Sequence, residues 1–184
     1  MINFKNFTAL NDNEKEMIFK WRNDERINRF FIKKNITKKE HFNFIKSLEN
    51  DKTRLYFLLL LSGENNDKMD IFGVSQELIS NTLQGLKEKP IGVINFIDIN
   101  KNECEFGIYQ NPDLRGFGGV LLNELTRYAF NTLSVQRLNA RAFNENLKAI
   151  KLFANFGFSI INKDLKFTYF QMNDEYYLNK WGGI

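Results

Sequence analysis

Apolar residues recur along the chain at two spacings, and the change from one to the other predicts the secondary structure. Apolar runs of strand length occupy residues 2–10, 54–61, 91–97, 104–109, 137–143, 158–161 and 167–172. Helical spacing is found between them, at residues 17–21, 42–48, 121–133 and 149–156. This order predicts a mixed α/β sandwich, in which helices cover a central sheet.

Short polar motifs mark where helices begin and end. Thr37 followed by Glu40 is a capping box, in which the hydroxyl accepts from the third amide and the carboxylate accepts from the cap amide. Asn146 is placed to cap a later helix, and Gly157 follows that helix as a C-cap. These signals support the helices that the apolar spacing predicts.

The segment 62–89 interrupts the rhythm between two predicted strands. It contains a polar stretch and an amphipathic helix with Ile79, Leu83 and Leu86 on one face. Structureless connections of this length are uncommon in compact domains. We therefore predict a single domain over residues 1–184 with an insertion at about 62–89, and we favour a surface excursion or dimer contact over an active-site lid.

The amino-acid composition excludes several classes of function. The 184 residues include 26 basic and 22 acidic side chains, one Cys and one His, so the net charge of +4 is small and scattered. One Cys excludes an intramolecular disulfide framework and a Cys-rich zinc site, and a single His argues against a His-based metal site or a Ser-His-Asp triad. No apolar run is long enough for a membrane span, and the N-terminus lacks signal-peptide features. We expect a cytoplasmic protein with no metal and no nucleic-acid or membrane partner.

One glycine-rich stretch carries candidate chemistry. Residues Arg115 to Leu122 read RGFGGVLL and lie between a predicted strand and a predicted helix. Glycines at a helix start let several N–H groups face a ligand, and the helix dipole then favours a pyrophosphate. The stretch is neither a P-loop nor a Rossmann fingerprint. Taken alone, it is also compatible with a purely structural turn.

A second stretch, taken together with the glycine-rich one, indicates a protein family. Residues Asn144 to Phe158 follow one helix and one strand later. The two segments together resemble the GNAT acyltransferase superfamily, with its motifs R-x-x-G-x-G/A and N-x-x-A-x-x-L-Y-x-x-x-G-F. The matching residues are Arg115, Gly118, Asn146, Ala149, Leu152, Gly157 and Phe158. Val120 and Phe153 depart from the usual Gly/Ala and Tyr. The resemblance implies a mostly antiparallel central sheet, splayed between its fourth and fifth strands.

The N-terminal half resembles one branch of that superfamily, the N-acetyltransferases of pseudaminic acid biosynthesis. The stretches that carry this likeness are FKNF at Phe4, IFKWRN at Ile18, EHFNFI at Glu40, GVINF at Gly92 and CEFGIY at Cys104. It spans nearly the whole chain except residues 62–89, and Val120 also occurs in this branch. The branch acetylates the 4-amine of UDP-4-amino-4,6-dideoxy-N-acetyl-β-L-altrosamine, a precursor of flagellin glycans.

The resemblance implies a set of site residues. The acetyl-CoA cosubstrate would contact Phe106, Gly107, Ile108, Arg115, Gly116, Phe117, Gly118, Gly119, Val120, Asn146 and Phe153. The amine attacks the thioester directly, and a backbone N–H at Ile108 or its neighbour would stabilise the oxyanion. The nucleotide sugar would contact Arg22, His41, Asn95 and Tyr109. Cys104 is expected to be a buried side chain and not a nucleophile.

Two proton transfers stay open at this point. Asp98, Glu103 or Glu105 could relay the proton of the amine through water, and strand alternation places both glutamates on one face. Phe153 stands where the family has its acid. The thiolate could leave with a proton from water or the ammonium, which we favour, because a thiol pKa near 8.5 permits it. Otherwise Tyr109 or Tyr128 substitutes, or catalysis is weak.

Two other functions compete with nucleotide-sugar acetylation. A GNAT enzyme can acetylate a protein N-terminal amine, because peptide clefts also use the third and fourth strands. An inactive acetyl-CoA-binding module would explain Phe153. A homodimer through a sheet edge or the apolar tail Tyr176 to Trp181 is compatible with each of these functions.

Overall fold

The computed structural model of the chain describes residues 1–63 and 73–181. Its strands are β1 (Ile2–Asn6), β2 (Leu55–Ser62), β3 (Glu88–Ile97), β4 (Glu103–Gln110), β5 (Arg137–Phe143), β6 (Ser159–Lys163) and β7 (Phe167–Asn173). Its helices are α1 (Asp12–Asn23), α2 (Glu25–Asn28), α3 (Lys38–Ser47), α4 (Gln76–Leu83), α5 (Gly118–Asn131), α6 (Leu147–Phe156) and α7 (Asp174–Trp181). None of these helices is long and apolar enough to cross a bilayer.

The strands form one sheet in the order β1-β2-β3-β4-β5-β7-β6. Neighbouring strands are antiparallel, except for the parallel pair β4 and β5. That pair is short, because only Glu103, Cys104 and Glu105 are in register with β5. Beyond Glu105 the two strands separate, which confirms the predicted mixed sheet and its splay.

The sheet buries an apolar layer on each face. Leu121 and Leu125 of α5 are fully buried on one face, together with residues of α4, α6 and α7. On the other face Ile18 and Trp21 of α1 pack with Ile45 of α3 against β2 and β3. Each side chain of this size contributes about 1.5–3 kcal/mol when it is buried. α5 covers β4 on one face, and Tyr109 of β4 packs against the apolar layer of α1 and α3 on the other.

The predicted helix ends are confirmed by their hydrogen bonds. The Glu40 amide donates to Thr37 Oγ1 at 3.2 Å, and the Thr37 amide donates to Glu40 Oε2 at 2.7 Å. Asn146 Oδ1 accepts from the Ala149 amide at 3.2 Å and so caps α6. Gly157 follows α6 with φ +116°, a left-handed conformation that favours glycine.

Several bounds in the structure differ from the predicted ones. β2 continues to Ser62 and β3 begins at Glu88, so the predicted insertion shrinks to residues 63–87, of which residues 64–72 lie outside the described part. Leu86 is 51% exposed and does not share the buried face of α4, because the chain leaves the helix at Gln84 with φ +46°. β1 ends at Asn6 and a short 3-10 turn, Phe7–Ala9, follows it.

The sequence patterns missed α2 and α7. α2 has only four residues, which is too short for a periodic apolar face. α7 contains the apolar tail that was considered for dimer formation. Its Tyr177 stacks on Phe130 with ring centroids 4.7 Å apart, and Trp181 stacks on Phe156 at 5.4 Å. The tail therefore packs on α5 and α6 of its own chain.

Candidate active site

A cavity of about 1000 Å³ opens where β4 and β5 separate. The splay itself, the helices α1 to α3, the start of α5 and one face of α6 enclose it. The predicted site residues that line it are Arg22, His41, Asn95, Phe106, Gly107, Ile108, Tyr109, Arg115, Gly118, Asn146 and Phe153. Gly116, Phe117, Gly119 and Val120 do not line it, but they form the turn at its edge. The fold thus brings together residues from segments far apart in the chain.

The free edge of β4 presents its backbone to this cavity. The Asn111 amide donates to the Ile91 carbonyl at 2.9 Å, which sets the phase of hydrogen bonding between β4 and β3. Because bonding direction alternates along a strand, every second residue before Asn111 bonds to β3. The backbone groups of Phe106, Ile108 and Gln110 therefore face the gap, where β5 no longer pairs with them. An extended ligand with amide groups can add there as a strand.

The glycine-rich turn offers further backbone donors. α5 begins at Gly118 after Phe117, and within the described residues no side chain caps this start. The first N–H groups of the helix and its positive dipole end are thus available to an anion. The side chains of Phe117 and Val120 are buried and anchor the turn, so only their backbone can serve a ligand. Gly116 adopts φ +88°, which a residue with a Cβ rarely does.

Gln110 holds this turn, and the sequence analysis missed it. Its Oε1 accepts from the Phe117 amide at 2.9 Å, and its Nε2 donates to the Leu114 carbonyl. Asn111 adds a bond from its Nδ2 to the Pro90 carbonyl at 2.9 Å. No spacing marks these two polar residues, because their partners are set by how β4 meets β3 and the turn.

Phe153, at the position where the family motif has a tyrosine, is part of a cluster of aromatic side chains. Phe153 is 5% exposed and packs at right angles to Phe106, with centroids 5.3 Å apart, and to Phe170 at 5.4 Å. It contributes shape and no proton. Tyr128 cannot substitute for the missing acid, because its ring is packed among Phe4, Phe57 and Phe96, away from the cavity. That alternative is wrong.

Tyr109 does line the cavity, but on the opposite face of β4 from Phe153. Its ring contacts Phe31 edge-on, with centroids 5.6 Å apart. Burial raises its pKa well above the usual range of a phenol. A proton held that strongly is a poor match for a departing thiolate. Cys104 is buried as expected, and burial raises the pKa of its thiol to about 12, so it carries no nucleophilic thiolate.

Arg22 projects from α1 into the half of the cavity beside Tyr109. Its guanidinium carbon lies 3.5 Å from the centroid of Phe31, and its Nη2 donates to the Lys33 carbonyl. Its Nη1 is buried and finds no hydrogen-bond partner in the described residues. Burial lowers the pKa of Arg22, and the guanidinium still stays charged. A buried donor without a partner marks a place where an anionic ligand would be bound favourably.

His41 and Asn95 lie on the same side of the sheet. His41 is 4% exposed, and its Nε2 lies 3.0 Å from the Lys15 carbonyl, which makes Nε2 the protonated nitrogen and leaves Nδ1 as an acceptor. Burial lowers the pKa of His41, so the ring is neutral at pH 7. Asn95 faces Gly107 across the strand pair, and a Cβ at Gly107 would approach Asn95 Oδ1 to 2.6 Å.

The structure separates the three candidate proton relays. Glu105 lines the cavity, and burial raises its pKa despite the Arg141 guanidinium, whose Nε lies 3.0 Å from Oε1. Glu103 lies outside the cavity, where hydrogen bonds from Arg137 and Asn139 lower its pKa. Asp98 is exposed at the end of β3, also outside the cavity. Of the three, Glu105 alone lines the cavity.

The two halves of the cavity define a class of protein. An open strand edge next to an uncapped glycine-rich helix start suits the amide arm and pyrophosphate of an acyl-CoA, and the half around Arg22 and Tyr109 suits an acceptor. These features are those of an acyl-CoA-dependent transferase. In the described residues no cluster of three or more His, Cys, Asp or Glu side chains is arranged to hold a metal ion.

Comparisons with known proteins agree with this class. Residues 6–159 match the model of the acetyltransferase (GNAT) domain. An acetyltransferase PseH of Campylobacter jejuni is 40% identical over 167 residues, which are 91% of this chain and 90% of the relative. A second C. jejuni acetyltransferase PseH is 39% identical over 169 residues, 92% of each chain. The chain belongs to the GNAT acetyltransferase family.

Solved structures give the same result. The crystal structure of C. jejuni N-acetyltransferase PseH in complex with acetyl coenzyme A has a TM-score of 0.69 at 36% identity, and the match covers 94% of this chain and 99% of that one. Spermidine N-acetyltransferase of Vibrio cholerae, in complex with CoA and spermine, has a TM-score of 0.72 at 19% identity over 97% and 98% of the chains. The second likeness concerns the fold alone. This chain is thus an acetyl-CoA-dependent N-acetyltransferase.

Proposed function

We propose that the chain moves acetyl from acetyl-CoA to the 4-amine of UDP-4-amino-4,6-dideoxy-N-acetyl-β-L-altrosamine, in pseudaminic acid biosynthesis. One observation carries the proposal: Arg22 holds a buried, unpartnered Nη1 beside the rings of Phe31 and Tyr109. A guanidinium binds a diphosphate through charge-assisted hydrogen bonds, and aromatic rings accept a base or sugar ring. Similarity to the acetyltransferases PseH over most of the chain supports the same acceptor class.

The charge of the acceptor half favours an anionic acceptor. Arg29 also borders the cavity and lies over the ring of Phe30 at 4.5 Å, and it forms no ion pair within the described residues. Two uncompensated guanidinium groups attract phosphate and repel a polyamine. Spermidine, the acceptor named for a structural neighbour of low identity, therefore fits this half poorly.

Acetyl-CoA would bind in the half of the cavity formed by the glycine-rich turn and the free edge of β4. The amides of residues 115–120 would hold the pyrophosphate, and the free edge of β4 would bond the amide arm. Ile108 faces the gap with its backbone N–H, so this donor would stabilise the negative charge that develops on the thioester carbonyl. Asn146 and Phe153 would border the arm from the α6 side.

Glu105 would accept the proton of the acceptor ammonium, directly or through one water. The Glu105 side chain leaves the same face of β4 as Gly107, from a backbone position roughly 7 Å (two residues) before it, next to the gap that Ile108 faces. The free amine then forms the new C–N bond as the C–S bond breaks. The thiolate leaves without a side-chain acid and takes its proton from the ammonium of the product-forming step or from water.

The test is thiol release from acetyl-CoA with a panel of acceptors. The panel contains the UDP-4-amino sugar, a UDP-sugar without the amine, spermidine and short peptides with a free N-terminus. Turnover of the amino sugar alone, with the amine-free UDP-sugar as a competitive inhibitor, is the expected result. Turnover of peptides would instead make the chain a protein N-terminal acetyltransferase. Acetyl-CoA binding without any turnover would make it a binding module.

Arg22 gives the panel a specific control. Replacing Arg22 with Gln removes a charge-assisted hydrogen bond worth about 1.5–3 kcal/mol, so the KM of the amino sugar should rise at least tenfold. The KM of acetyl-CoA should stay within twofold. Lys20→Gln removes an exposed charge from the same helix and should change neither constant. Equal effects of both variants would show that Arg22 acts only through net charge.

We further propose a cytoplasmic enzyme with a small-molecule acceptor and no nucleic-acid or membrane partner, built as one domain with an insertion. The family match over residues 6–159 spans the insertion and supports this organisation. A homodimer remains a prediction. The edge strand β6 exposes Ile160 and Ile161, and an exposed strand edge can pair with a second chain. Light scattering at micromolar concentration would measure the mass.

A further inference from the structure

Two arginines at the acceptor half differ in how their guanidinium groups are used. Arg22 keeps one nitrogen without a partner, as described above. In Arg26 every guanidinium nitrogen donates a hydrogen bond. Nε lies 2.8 Å from Asp24 Oδ1 and Nη2 lies 2.6 Å from Asp24 Oδ2, while Nη1 lies 2.9 Å from the Pro112 carbonyl and Nη2 lies 3.0 Å from Asp113 Oδ1. Four of the five N–H groups of Arg26 are therefore engaged by protein groups, and the side chain serves mainly as a bridge between them.

The partners of Arg26 belong to the two halves of the cavity. Asp24 caps α2, which leads directly into Phe30 and Phe31 of the acceptor half. Pro112 and Asp113 lie in the turn that begins after β4 and runs into the glycine-rich start of α5. Gln110 ties the same turn to the Phe117 amide. The guanidinium thus joins α2, at the acceptor half, to the turn that leads into the glycine-rich start of α5, and it lines the cavity between them.

We propose that Arg26 is a positioning residue that couples the binding of the two substrates. This coupling rests on the proposed function, in which one half of the cavity binds acetyl-CoA and the other half binds the acceptor. A ligand that orders the turn after β4 also holds Pro112 and Asp113 in place, and this keeps Arg26 and α2 over the acceptor half. The second ligand then binds to an acceptor half whose α2 segment is already ordered. Thermodynamic linkage makes the effect reciprocal.

The strength of the hydrogen bonds made by Arg26 determines how much each ligand raises the affinity for the other. Fork-like bonds between a guanidinium and carboxylates are directional and stronger than neutral hydrogen bonds. Arg26 and Asp113 are 54% and 76% exposed, so water and salt weaken the pair. We expect each ligand to tighten the other about fivefold, near the lower end of typical couplings. At about 1 M salt, where the screening length is about 3 Å, this factor should approach one.

Calorimetric titration measures the coupling with an unreactive pair of ligands. CoA is titrated into the protein with and without the amine-free UDP-sugar, for the wild type, Arg26→Ala and Arg26→Lys. The wild type should show the fivefold factor, and both variants should show a factor near one, because Lys lacks the fork. Arg127→Ala is the matched control, since Arg127 is 59% exposed and pairs with Glu124 on α5. It should keep the wild-type coupling.

Hydrogen exchange supplies a readout that needs no acceptor. CoA alone should slow amide exchange in residues 25–31 of the wild type and not of Arg26→Ala. If the UDP-sugar does not bind but this protection appears and depends on Arg26, the coupling stands and the proposed acceptor is wrong. If the UDP-sugar binds and Arg26→Ala keeps the full coupling factor, the coupling by Arg26 is wrong and the proposed acceptor stands. Equal protection in both proteins would likewise overturn the role of Arg26.

Discussion

Nε of Arg141 lies 3.0 Å from Oε1 of Glu105, across the gap where β4 and β5 separate. Arg141 belongs to the wall formed by β5, and Glu105 is the last residue of β4 that still pairs with that strand. The cation therefore orients a carboxylate at the entrance to the open edge. Burial raises the pKa of Glu105, and Arg141 limits the rise.

We predict that Glu105→Gln lowers kcat by about 100-fold or more, the usual size of general-base catalysis. The base acts when it is deprotonated, so the wild-type rate should rise with pH through a pKa above the ordinary glutamate value. Arg141→Gln removes the cation that lowers this pKa, so the acid limb of the pH–rate profile should move to higher pH. Profiles of kcat at saturating substrates measure both effects.

Glu103→Gln is the control for this prediction. Glu103 lies on the same face of β4 and is also paired with an arginine of β5, Arg137, but it stands outside the cavity. Its replacement should leave the pH profile unchanged. An equal loss of rate in Glu103→Gln and Glu105→Gln would contradict the assignment of the base.

Phe153 allows a test of the missing acid. We expect Phe153→Tyr to change kcat less than threefold, because a thiolate with a pKa near 8.5 leaves readily without a donor. The variant should lose about 1–3 kcal/mol of stability, since the hydroxyl enters a cluster of Phe106, Phe158 and Phe170. Phe170→Tyr, outside the cavity, should lose stability without any kinetic effect. A tenfold gain in kcat for Phe153→Tyr would show that the absent acid limits the wild type.

Gly116 should be needed for acetyl-CoA binding. It has φ +88°, and a Cβ there would lie 3.0 Å from Leu78 Cδ2 of α4. Gly116→Ala therefore strains the turn both through its backbone conformation and through this close contact. We expect a loss of roughly 1–2 kcal/mol of stability and a KM for acetyl-CoA raised at least fivefold. Gly85→Ala is the matched control, because Gly85 has φ +80° with no atom within 4 Å of a built Cβ. It should lose stability and keep its kinetics.

The capping box of α3 should make stability depend on acidic pH. Hydrogen bonds from Lys33 and then from Thr37 lower the pKa of Glu40 to about 2. A lowered folded pKa stabilises the protein above the unfolded pKa of about 4.3, and this contribution is lost as the pH falls toward about 2. The difference in unfolding free energy between the wild type and Glu40→Gln should therefore shrink over this interval. Urea unfolding at several pH values measures this difference. Glu49→Gln is the control, because Glu49 is an exposed glutamate just after the end of α3.

The sequence by itself determined the features that neighbouring residues produce. The capping box at Thr37, the C-cap at Gly157 and the glycine-rich turn each depend on a few consecutive residues, whose spacing is visible in the chain. Strand and helix periodicity gave the order of elements, and two motifs one helix and one strand apart gave the family. α2 was missed because four residues are too few to show a period.

Tertiary structure alone decided which candidates meet in the site. Glu103 and Glu105 share a strand face, and only the end of the β4–β5 pairing separates a surface ion pair from a cavity carboxylate. The packing of Tyr128 among phenylalanines of β1 to β3 removed it from the chemistry. The bridge from Arg26 joins residues more than 80 positions apart. Such contacts depend on how whole elements pack, and no local spacing in the chain encodes them.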